Sequence, residues 1–102
     1  MSDRLYFVTR TDLPVGRVMA QVIHAMDEWG AKFGPQQGTV IVYAVDSEEE
    51  LLNAFPSGGR SVLWRGPDLD NEATAFATDA GRMDLPLFGA RRRSRNPYKK
   101  AA

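Results

Sequence analysis

A single amphipathic stretch, residues 10–33, leaves this chain few ways to fold. Val15, Val18, Met19, Val22, Ile23, Met26, Trp29 and Phe33 recur at three- and four-residue intervals, so on a helix they share one face. Arg17, Gln21, His24 and Glu28 fall on a polar stripe on the other side. The sequence also marks where such a helix starts. Asp12 can cap the first free N–H groups, and Pro14 suits a first turn, where its missing donor costs nothing. Gly16 leaves the backbone of that turn bare, so an anion can approach its N–H groups closely. Gly34 and Pro35 predict the end, the first by accepting a positive φ and the second by being unable to continue a helix.

Around that helix, 102 residues can build one domain with one modest core. A content of 43% apolar and 25% charged residues is that of a globular protein, which excludes disorder throughout. Cysteine is absent. Disulfides, thiolate nucleophiles and thiolate metal sites are thereby excluded, and a reducing cytoplasm fits. With His24 the only histidine, a zinc site would have to lean on carboxylates, and no metal is expected. No apolar run approaches the roughly 20 residues that span a bilayer, and the N-terminus lacks a secretory apolar region. A soluble, unexported protein with no membrane partner is predicted.

The net charge of zero conceals a split. Residues 91–102 carry Arg91, Arg92, Arg93, Arg95, Lys99 and Lys100 and no acid. With six of the thirteen basic residues there, residues 1–90 keep seven against thirteen acids, a net of −6. The division predicts a single α/β domain over residues 1–90 and a basic, flexible tail over 91–102, which either docks on a polyanion or only solubilises.

Leu5-Tyr6-Phe7-Val8-Thr9 and Thr39-Val40-Ile41-Val42-Tyr43-Ala44-Val45 are apolar and β-prone, as strands buried on both faces are. Asp46 or Ser47 can cap a short helix opened by Glu48, Glu49 and Glu50, with Leu51, Leu52 and Phe55 facing inward. Ser61-Val62-Leu63-Trp64 predicts a third strand, residues 65–72 a polar loop, and Ala73-Thr74-Ala75-Phe76-Ala77-Thr78 an alternating fourth. Leu85 to Phe88 can pack back on the sheet. The order β-α-β-α-β-β implies a four-stranded mixed sheet with one helix on each face.

Several of these pieces, in this order, resemble the type 2 peptidyl-tRNA hydrolase family. Arg10-Thr11-Asp12-Leu13 is similar to that family's Arg-x-Asp-Leu after the first strand. The run Gly16-Arg17-Val18-Met19-Ala20-Gln21-Val22-Ile23-His24-Ala25 is similar to its Gly-Lys-x-x-Ala-Gln-x-x-His-Ala helix, with five identities at fixed spacing. Val45 to Leu51 resembles the acidic opening of its next helix, and Arg65 to Ala75 the hairpin of its shorter bacterial and viral branch. Asp79-Ala80-Gly81-Arg82 spells another family tetrapeptide, but follows Thr74 where the family's precedes the threonine, and is discounted. The resemblance covers residues 5–78 and implies the family fold. It also implies hydrolysis of the ester joining a peptide, or an N-blocked amino acid, to the terminal ribose of tRNA, with no metal or cofactor. The partner implied is tRNA, and a homodimer is left open. By position, the family's lysine becomes Arg17, its histidine His24 and its threonine Thr74, while its aspartate falls near Gly66, at Asp68 or Asp70.

Ester hydrolysis needs a positioned water, an acceptor for its proton and donors for the developing oxyanion. Asp68 or Asp70 can orient the water, Thr74 can donate to the carbonyl, and Arg17 can neutralise the oxyanion or a terminal phosphate. Arginine keeps the lysine's charge but cannot shuttle its proton. His24 suits general base work near neutrality, against the plainer reading of a solvated helix histidine. Gln21 can hold His24, contact substrate or be an ordinary exposed residue. Arg10 and Asp12 can pair at the strand-to-helix turn. Trp64 and Phe76 are core candidates, one of which could stack on a terminal base. Phosphate contacts would fall to Arg10, Arg17, Arg60, Arg65 and the tail. The competing reading is a non-catalytic RNA- or protein-binding module that kept the fold.

Overall fold

The structure, a computed structural model, describes residues 4–35, 38–80 and 84–89. The predicted tail, residues 91–102, lies outside the described residues. Four strands, β1 (Arg4–Arg10), β2 (Thr39–Val45), β3 (Ser61–Gly66) and β4 (Glu72–Thr78), form one mixed sheet in the order β2-β1-β4-β3. β2 runs parallel to β1, while β4 runs antiparallel to both β1 and β3. Helices α1 (Val15–Phe33) and α2 (Glu48–Ala54) complete the predicted element order.

Alternation along β1 sends Leu5 and Phe7 to one face and Tyr6 and Val8 to the other. The first face packs with Ala25 and Trp29 of α1, together with Val62, Ala75 and Ala77. The second packs with Leu51 of α2, together with Tyr43, Val45 and Phe76. The helices therefore cover opposite faces, as the doubly buried strands require. No helix among the described residues is long and apolar enough to cross a membrane.

Several local expectations are corrected. Asp12 does not cap α1: its carboxylate is held by Arg10, and Pro14 stands at the cap position, with no side chain bonding the helix start. Only half of the predicted apolar face of α1 is buried. Val18 and Trp29 are buried and Val22 and Phe33 half-buried, whereas Val15, Met19, Ile23 and Met26 are exposed. The helix is rotated toward β3 and β4, which brings Gln21 of the expected polar stripe inside. β2 is an edge strand, buried only from Tyr43 to Val45. Leu52 of α2 is 40% exposed, since a seven-residue helix turns only Leu51 fully to the sheet. β3 continues through Gly66, and the loop after it is a 3₁₀ turn at Pro67–Leu69 followed by Asp70 and Asn71 at positive φ.

Other expectations hold. Gly34 ends α1 at φ 87°, with its N–H donated to the Gly30 carbonyl at 3.0 Å. Ser47 Oγ accepts the Glu50 N–H at 3.1 Å, and Glu50 Oε1 accepts the Asp46 N–H at 2.7 Å. The segment near Leu87 lies along the outer edge of β2: Ala44 N–H donates to the Pro86 carbonyl at 2.9 Å, and Phe88 N–H to that of Val42 at 2.8 Å.

Candidate active site

Arg17, Gln21 and His24 recur at helical spacing, so they form one line along α1. That line lies over β3 and the turn that follows it, where each of the three finds a partner. Arg17 Nη1 donates to Asp68 Oδ2 at 3.0 Å, tying the first turn of α1 to the 3₁₀ turn through a pair that solvent reaches. His24 stacks on Trp64 with ring centroids 4.8 Å apart and planes 20° from parallel. Gln21, buried between them, accepts the Trp64 indole N–H and the Thr74 hydroxyl on the same Oε1, each at 2.9 Å.

Thr74 reaches Gln21 because β4 is irregular there. Strict alternation would send Thr74 to the α2 face with Phe76. Instead, the pairing with β3 steps from Trp64 opposite Ala75 to Arg65 opposite Ala73, leaving Thr74 as the extra residue of a β-bulge. Its hydroxyl therefore turns toward α1. Thr74 is fully buried and its proton is committed to Gln21, or to the Trp64 carbonyl at 3.4 Å. Here it donates to the protein rather than to a substrate carbonyl.

Arg10 is engaged by protein acceptors as well. Its Nε and Nη2 grip both oxygens of Asp12 at 2.9 and 2.7 Å, while Nη1 donates to Glu72 Oε1 at 2.7 Å and to the Ala73 carbonyl at 3.2 Å. The hydrogen bonds that Arg10 donates to Asp12 raise its pKa above the ordinary value despite burial, and those same bonds hold the Asp12 carboxyl below its own. Arg10 is a clamp between β1 and β4 that also holds the start of the connection to α1. The pairing with Asp12 expected from the sequence is present, and every nitrogen of the Arg10 guanidinium has a protein acceptor.

Two other expected phosphate contacts are engaged. Arg60 pairs with Asp79 at 2.7 Å and lies over the rings of Trp29 and Phe33, 5.3 and 5.1 Å from their centroids. Arg65 donates to the Asn71 carbonyl at 3.1 Å. Asp70 is exposed at the left-handed position that closes the 3₁₀ turn. Gly16 is exposed, and a Cβ there would meet nothing within 4 Å, so its backbone is as open as its sequence position implies.

The arrangement thus brings Arg17, Gln21, His24, Asp68 and Thr74 to one seam between α1 and the β3–β4 hairpin, and sets Arg10 apart. Trp64 is the residue that sequence reading undervalued. Its alternation with Val62 marks it as facing α1, but only the packing of the helix shows that its N–H meets Gln21 and its ring carries His24. Neither a protein-family model nor a curated protein sequence matches the chain.

Proposed function

We propose that this chain hydrolyses the ester of peptidyl-tRNA or N-blocked aminoacyl-tRNA in the cytoplasm and releases free tRNA. The observation that carries the reading is the seam itself: a cation, an amide and an imidazole follow one another along α1, the first paired with a carboxylate of the β3–β4 turn and the other two seated on Trp64. Asp68 would accept the proton of the attacking water while Arg17, its neighbour at 3.0 Å, offsets charge on the carbonyl oxygen or a terminal phosphate. His24 is exposed on the same line of α1, stacked on Trp64, where its ring nitrogens can exchange hydrogen bonds with a substrate. Thr74 enters as the residue that holds Gln21. The proposal includes a homodimer, because the exposed apolar row Val15, Met19, Ile23 and Met26 is a surface that a second copy would cover.

The test is release of tRNA from N-acetylated aminoacyl-tRNA by the wild type, Arg17→Ala and Thr74→Ala. A turnover that falls about a hundredfold in Arg17→Ala, the size of effect typical of losing one donor to an oxyanion, supports the proposal. Equal background rates in all three remove it. The second reading, a binding module without turnover, is favoured by the Arg17–Asp68 pair, in which each charge offsets the other. It predicts tRNA binding with no release of product.

A further inference from the structure

We propose that the carboxamide nitrogen of Gln21 is the donor that receives the substrate's carbonyl oxygen, and that Trp64 is the positioning residue that aims it. This deepens the esterase reading and rests on it. The orientation of the Gln21 amide is chemically determined. An indole N–H can only donate, so the atom 2.9 Å from Trp64 Nε1 must be the amide oxygen. That oxygen can only accept, so the Thr74 hydroxyl, also 2.9 Å away, gives it its proton. Both holds fall on Oε1, and Nε2 is left with two N–H donors that meet no acceptor among the described residues.

Nε2 is nevertheless within reach of solvent. Gln21 is only 4% exposed, yet no side-chain nitrogen or oxygen of the described residues is both sealed from water and unbonded. The amide packs on the Gly66 backbone: a Cβ there would stand 3.4 Å from Oε1 and 3.2 Å from the Leu69 side chain. A donor locked in one orientation, touching solvent and one helical turn from Arg17, is preorganised for charge that develops only during reaction. In that reaction the water oxygen bonds to the carbonyl carbon and the C=O electron pair moves to oxygen, where Nε2 holds it. When the pair returns, the bond to the ribose oxygen breaks, and that oxygen takes up the proton the water gave to Asp68.

The test measures kcat and KM for N-acetylated aminoacyl-tRNA with the wild type, Gln21→Glu, Trp64→Phe and the double variant, with a thermal melt of each. Gln21→Glu keeps an acceptor for Trp64 and Thr74 but donates nothing, and its kcat is expected to fall about a hundredfold with KM little changed. Trp64→Phe keeps a ring under His24 but frees the amide to turn. Its kcat should fall about tenfold in the wild type and no further in the Gln21→Glu background, because coupled residues are not additive. Should Gln21→Glu fail to fold, Thr74→Ser and Thr74→Val carry the comparison: the first keeps the hydroxyl on Oε1 and the kcat, and the second loses both. An active wild type with Gln21→Glu at full kcat, or Trp64→Phe losses that multiply in the double variant, overturns this inference and leaves the esterase standing. An inactive wild type ends both.

Discussion

Arg10 divides a nearly buried guanidinium among Asp12, Glu72 and a backbone carbonyl, so removing any one partner leaves charge that water cannot reach. Asp12 and Glu72 are themselves over a third exposed, which screens the loss. Asp12→Asn is therefore expected to cost about 1–2 kcal/mol at neutral pH, less than a fully buried pair would. Acid acts on the same contact. Arg10 holds the Asp12 carboxyl below its ordinary value of 3.8, so folding favours the ionised form. For Asp79, burial pushes the carboxyl up, but hydrogen bonds from the Arg60 side chain and N–H outweigh it and leave it lowered as well. Stability from both is complete above about pH 4 and is lost as pH falls through the depressed values. Melting temperatures from pH 7 to pH 2 should show wild type dropping steeply below pH 4. Asp12→Asn should start lower and lose less, and parallel curves would refute the linkage.

At the scale of elements, the turn chemistry and the strands were legible, and the rotation of α1 was not. Gly34, Ser47 and the β-prone runs act through local sterics and hydrogen bonding, which neighbouring residues alone decide. How a helix rolls on a sheet depends on where the strands lie beneath it. The apolar arc of α1 is wider than the seat it occupies, so periodicity could not say which half would be covered. The same is true of the bulge at Thr74, since nothing in Ala73-Thr74-Ala75 announces a skipped pairing. The uncovered half of α1 leads to a prediction. Met19 and Ile23 are 58% and 62% exposed, and residues 91–102, with six cations, do not match an apolar surface. Sedimentation should find the wild type dimeric and Ile23→Lys monomeric with its melting temperature kept. A monomeric wild type removes the dimer.

For the whole molecule, the distribution of charge limits how RNA could be held. Arg10, Arg60 and Arg65 are each bound to protein acceptors, and Arg17 is shared with Asp68. On the proposed function, most contacts to phosphate would then come from residues 91–102. Deleting them should weaken tRNA binding and flatten its dependence on salt, as fewer counterions are released. Unchanged affinity across a salt series would exclude that role.

The two strands at the centre of the sheet, β1 and β4, are also among the most distant in the chain, with Val8 paired to Phe76. A nascent chain leaving the ribosome N-terminus first must therefore carry one edge of β1 unpaired until residues 72–78 have been synthesised. Such long-range closure makes folding slow. It also makes any product truncated before residue 72 a ready client for chaperones and proteases.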